Sequence, residues 1–221
     1  MWDVVEAADV CGVDGCRAGW VVATRTECRV VEHLDDTAAA FAVIGVDMPI
    51  GLPETPPRSS DGAARRFLAP RGSTIFPTPP RALVHHTDYA TANAASKERF
   101  GCGLSRQAFG LFPKMREVDA LAAAVVRDRL VEIHPECAFA RMAGAPLPPK
   151  RTAEGRQLRG ALVRTLVGID VAGTRVRGAA AHDVLDACAV LWSARRFAAG
   201  TAVTFGDGAV DARGLPMRIV S

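Results

Sequence analysis

The chain has 221 residues, short enough for one continuous core, and its 49% hydrophobic and 23% charged residues are ordinary globular values that exclude intrinsic disorder. A formal net charge of +3 is too small to demand a polyanionic partner on its own. Lysine occurs only at Lys97, Lys114 and Lys150, and arginine carries the rest of the positive charge, a pattern that a genome-wide compositional bias also produces.

The six cysteines, at 11, 16, 28, 102, 137 and 188, show no paired CxxC spacing. Cys11 and Cys188 sit in apolar runs and read as small core residues. Met1–Glu6 lacks the basic start and apolar run of a signal peptide, and no stretch has the uninterrupted apolar length of a membrane span. The expectation is a cytoplasmic protein with free thiols and no membrane association.

In chain order, residues 10–16, 20–26 and 28–32 read as three antiparallel strands, with Gly15–Gly19 and Arg25–Glu27 as the turns. Leu34–Thr37 offers capping residues to a short helix over 38–42. Val43–Asp47 is an apolar run without alternation, the pattern of a strand buried on both faces and parallel to the first. Residues 48–129 form an insertion: a proline- and arginine-rich loop, a helical patch at Gly62–Leu68, and helices at Asp88–Arg99 and Lys114–Arg127. Ile75 and Phe76 within the loop call for burial. Arg129–Glu136 reads as the fifth strand, Glu154–Val167 as a helix with Leu158, Leu162 and Leu166 on its apolar face, and Ala179–Ala199 as a long helix. Val203–Phe205 and Met217–Val220 read as edge strands. The whole is one α/β domain, 1–221, with a mixed five-stranded sheet in the order 3-2-1-4-5 flanked by helices.

Asp14 interrupts an apolar strand, and a bare acid there is costly unless it is paired or binds a cation. Asp47 ends the neighbouring strand, and strands ~4.8 Å apart let two such acids share one ion. Asp183 and Asp186 project from one side of the long helix. Oxygen ligands without cysteine suit Mg²⁺ or Mn²⁺. Each acid also has a plainer role: Asp14 caps its own turn, and Asp183 serves the first turn of its helix, which makes Asp186 the better ligand. Glu132 and Glu136 compete for a further position, with strand-end placement favouring Glu136 and an arginine partner expected for Glu132. His134 and His182 are candidate proton shuttles, although a histidine beside a carboxylate is more often structural.

The phrases GVDGCRAGW, IGVDMPIGLP, APRGSTIFPTPPR, KMREVDAL, VEIHPE and HDVLDA follow in order over residues 11 to about 190. In these the chain resembles the family called domain of unknown function 429, predicted RNase H-like nucleases; the Asp183-x-x-Asp186 pair also resembles the last helix of Holliday-junction resolvases. The resemblance implies an RNase H-like fold with Asp14, Asp47, Asp183 and Asp186 as metal ligands. It implies a nuclease that hydrolyses phosphodiester bonds in DNA or RNA by a two-metal mechanism, with Glu136 completing the catalytic set. Arg65, Arg66, Arg71 and Arg81 are then candidates for the phosphate path, with Arg17 and Lys114 nearer the metals; solvated surface accounts for at least half of the arginines.

Two alternatives stand beside this reading. An actin-like phosphotransferase would use Asp14–Gly19 as a phosphate cradle, but it needs a second copy of the domain, which only a homodimer supplies. A non-catalytic nucleic-acid-binding scaffold would have no use for clustered acids.

Overall fold

The computed structural model describes residues 10–125, 128–173 and 175–221. Three strands, β1 (Val10–Cys16), β2 (Gly19–Ala23) and β3 (Cys28–Val31), form the antiparallel meander, and the four-residue helix α1 (Asp35–Ala38) leads into β4 (Val43–Val46). β4 lies parallel to β1, and β5 (Leu130–Glu132) lies parallel to β4, giving the expected order β3-β2-β1-β4-β5.

Between β4 and β5 the chain forms α2 (Ser59–Phe67), α3 (Arg81–Val84), α4 (Tyr89–Phe100), α5 (Arg106–Gly110) and α6 (Phe112–Ala124). The expected end of α6 at Val126–Arg127 lies outside the described residues. After β5 come α7 (Pro135–Ala143), α8 (Ala153–Leu166) and α9 (Ala181–Ala198), then a two-stranded sheet of β6 (Thr204–Phe205) and β7 (Ile219–Val220). A parallel bridge from Ile133 to Val220 places β7 beside β5.

Alternation along the strands divides the core into two layers. Cys11, Val13, Trp20, Val22, Ile44 and Val46 point to one face, covered by α3, α4 and α6 of the insertion. Val10, Val21, Ala23 and Val43 point to the other, covered by α7, α8 and α9. Ile75 is buried and Phe76 half-buried, so the proline-rich loop packs as its apolar residues require. All six cysteines are free thiols.

The closest layer contact comes from two missing side chains. Gly12 and Gly45 are opposite each other in the β1–β4 register. A Cβ on Gly12 would lie 2.1 Å from the Leu191 backbone nitrogen, and one on Gly45 would lie 2.9 Å from side-chain carbons of Ala194 and Val190. The bare backbone lets α9 rest directly on the sheet. Asp14 and Asp47 stand two residues beyond these glycines, on the same face, where α9 begins.

The sequence misplaced three features, the first being the short helix expected over 38–42, which occupies Asp35–Ala38, overlapping the stretch read as its caps. Arg129–Glu136 is strand only to Glu132; Pro135 opens α7 instead of merely ending the strand, as a proline at the first helical position can. Glu136 therefore lies in a helical turn and not on a strand end. On α8 the buried face is Gly155, Arg159 and Val163, while Leu158 and Leu166 are exposed. The apolar stripe misled because the central buried residue is an arginine.

Candidate functional site

β1 and β4 run parallel, and the Asp47 N–H donates to the Val13 carbonyl at 2.9 Å, so both acids emerge at the same end of the sheet. Asp14 is buried, and one of its oxygens accepts the N–H of Gly15 at 2.8 Å, the turn-capping bond expected of it. It also forms a side-chain hydrogen bond with Asp47. Asp186, in the second turn of α9, is buried above them and accepts a 2.8 Å bond from Lys150 Nζ.

Burial and mutual repulsion raise the proton affinity of this group. Asp14 titrates well above the usual carboxylate range, first because it is buried and then because the charges of Asp47, Asp186 and, more weakly, Asp183 act on it. Asp47 is pushed up to about 8 by burial and by Asp186, against the lowering effect of Lys150 and of its bond to Asp14. Asp186 is also raised by burial, with Lys150 opposing. The three acids thus form one electrostatic unit that holds protons more tightly than isolated carboxyls do, with Lys150 the cation bonded to it and Lys114 acting on Asp14 from a distance.

Among the described residues, no three His, Cys, Asp or Glu side chains are arranged to hold one ion. Asp14 and Asp47 turn to each other and Asp186 turns to Lys150. Asp183 stands apart: its carboxylate accepts the Ala180 N–H at 2.9 Å at the start of α9 and lies 3.2 Å from His182 Nε2. That is the first-turn role the sequence allowed for it.

The acids form part of the wall of a cavity of about 440 Å³. Arg71, Lys114, Lys150 and Arg151 bring positive charge to it, and Ile75, Phe76 and Leu111 bring apolar surface. Of the six cations expected to meet phosphate, only Arg71 and Lys114 line this cavity. Lys114 also donates to the Gly19 carbonyl at 2.5 Å, with its ammonium 4.2 Å from the centre of the Trp20 ring. Arg81 is occupied by Asp119 and Asp211, and Arg65 by the Ile75 carbonyl at 2.7 and 2.9 Å, so both hold structure together instead. Arg17 and Arg66 are exposed and outside the cavity wall.

The two glutamates each have a buried arginine. Glu132 takes two bonds from Arg58, at 2.7 and 2.8 Å, and a third from the Ile50 N–H at 2.7 Å. Asp61 binds the other side of the same guanidinium. Glu136 accepts Arg159 Nη2 at 2.6 and 2.9 Å. Arg159 also donates from Nη1 to the Pro148 carbonyl at 2.9 Å, just before Lys150. Glu136 is thus a positioning residue for the Lys150 loop rather than a free carboxylate.

His134 caps α7, its Nδ1 accepting the Glu136 N–H at 3.2 Å, and it bonds the Thr74 backbone as well. Burial, helped by Lys150, lowers it to about 4, so it is neutral and has no free nitrogen for proton transfer. The residue bonded to the acid cluster that sequence reasoning missed is Lys150. It lies in a Pro-Pro-Lys loop outside every motif, and only its being one of three lysines marks it.

No curated protein and no solved structure matches this chain. The family model described as Protein of unknown function (DUF429) matches residues 12–210, from the glycine under α9 to the segment before β7, and includes every acid of the cluster. The chain belongs to that family.

Proposed function

We propose that this protein is a metal-dependent nuclease of RNase H-like type, hydrolysing phosphodiester bonds at the cavity floored by Asp14, Asp47 and Asp186. The observation that carries the reading is the meeting of these three acids, Asp14 and Asp186 buried and Asp47 half-buried, at one end of the sheet, from two parallel strands and a helix. Buried carboxylates that raise one another's proton affinity are a donor set short of positive charge, which fits a hard divalent cation such as Mg²⁺ or Mn²⁺. Asp14 and Asp47 would hold it, with Asp186 joining from above. A bound ion of this kind polarises a phosphoryl oxygen and acidifies an attacking water.

The chain's own residues supply the remaining features. Arg71, Lys114 and Arg151 give the cavity wall the charge to orient a phosphate. Phe76 and Leu111 offer apolar contact for a base or sugar. The Arg58–Glu132–Asp61 network fixes the floor, because a buried charge cluster with its partners satisfied resists rearrangement. Asp183 keeps the first turn of α9 intact, and with it the position of Asp186.

The test is hydrolysis of plasmid DNA, single-stranded DNA and RNA with Mn²⁺ or Mg²⁺. Cleavage should require the ion and disappear in Asp14→Asn and Asp47→Asn proteins that keep their circular dichroism. Cutting at the wild-type rate by both variants would end the proposal.

A further inference from the structure

Three acids share a cavity wall, yet they do not converge as ligands, and the reason is a fourth side chain. Asp186 is turned to Lys150, 2.8 Å away, and Lys150 acts electrostatically on Asp14 and Asp47 as well. We infer that Lys150 is a tethered cation that stands in for the divalent ion at Asp186, so that Lys150 and the ion compete for the same carboxylate. This rests on the metal-binding reading of the site.

The fold builds Lys150 into this position. Arg159 holds the Pro148 carbonyl at 2.9 Å and is itself held by Glu136. Thr152 donates to the Pro149 carbonyl through its N–H at 3.0 Å and its hydroxyl at 2.8 Å. Gly155 leaves room for that carbonyl, since a Cβ there would lie 2.2 Å from it. The backbone on both sides of Lys150 is therefore fixed.

Its side chain is not. Lys150 is 49% exposed, whereas Asp186 is 6% exposed, so the ammonium can leave for water or a phosphate while the acid stays where it is. A flexible four-carbon stem on a rigid base suits this exchange, and an arginine fork would suit it less. When an ion takes Asp186, the freed ammonium remains tethered at the cavity wall, where it can contact the substrate's phosphate. The same cation thus offsets the mutual repulsion of the three clustered acids in the ion-free protein.

Mn²⁺ titration by calorimetry of the full chain, wild type against Lys150→Met and Arg151→Met, tests this. Removing the competitor should tighten Mn²⁺ binding about tenfold in Lys150→Met. It should also enlarge the rise in melting temperature that Mn²⁺ produces. Arg151→Met removes a neighbouring cavity cation that does not bond Asp186, and its affinity should stay within about twofold of wild type. Unchanged or weaker Mn²⁺ binding in Lys150→Met overturns the inference, and so does an equal gain in both variants, which would reflect general potential; in either case the nuclease reading stands. Failure of all three proteins to bind Mn²⁺ overturns the inference together with the metal-dependent reading. Should Lys150→Met be too unstable to titrate, Lys150→Gln, which keeps a polar contact to Asp186, is held to the same tenfold criterion.

Discussion

Gly12 and Gly45 face each other across β1 and β4, and α9 lies on both. The meeting of the three acids follows from that contact, which sets the height of α9 above the sheet and brings Asp186 over Asp14 and Asp47.

Gly12→Ala should be among the most damaging small substitutions in the chain. The added methyl would meet the backbone of Leu191 and Ala187 at 2.1 and 2.4 Å, where no flexible side chain can yield. A loss of about 3 kcal/mol or more is expected by urea unfolding, in the range of overpacked cores. Gly45→Ala meets side-chain carbons and should cost less.

The acid cluster should make stability fall as pH rises. Asp47 holds its proton to about pH 8 in the folded chain but loses it near 3.8 when unfolded. Between those values the native state binds more protons, so its contribution is complete below about pH 4 and is lost as pH climbs through 8. Melting temperature followed from pH 5 to 9 should decline, and in Asp47→Asn the decline should be shallower. An identical slope in the variant would contradict the assignment. Saturating Mn²⁺ should flatten the wild-type curve too, by favouring the ionised form.

His134 should act in the opposite direction on the acid side. Its imidazole stays neutral down to about pH 4 in the fold, against 6.5 when unfolded. The unfolded chain then binds more protons over that interval, so stability is complete above about 6.5 and is lost as pH falls toward 4. His134→Asn retains a side chain able to cap α7 and removes the titration. Its melting temperature should depend less on pH between 4 and 6.5 than that of wild type.

Arg159→Met should destabilise the protein by roughly 3 kcal/mol or more, because it strands Glu136 without its buried partner. Adding Glu136→Gln should recover part of the loss in a double-mutant cycle. Because Arg159 also anchors Pro148, the single variant should weaken the hold of the loop on Lys150. Proteolysis at Lys150 or Arg151 is the direct measurement of that.

Asp14→Asn and Asp47→Asn should separate folding from function. Removing one of three repelling acids should leave the protein as stable as wild type at pH 8, or more so, while Mn²⁺ binding and cleavage disappear. Unfolding of both variants would mean that the carboxylates serve the fold.

What the sequence determined by itself was the sheet and most of the acids. An acid inside one apolar run, Asp14, and an acid closing another, Asp47, mark two buried strands that reach a polar site, because a carboxyl is tolerated there only with a partner or a cation. The long apolar helix carrying Asp186 was legible for the same reason. Periodicity failed where a polar residue occupies the core: Arg159 is buried on α8, and a pattern of leucines pointed to the wrong face. The tertiary structure alone decided the pairings, joining Glu136 to Arg159, Arg81 to Asp119 and Lys150 to Asp186 across separations of 23, 38 and 36 residues. An ion pair depends on where two long side chains meet in space, and residue type in a linear chain carries no record of that meeting.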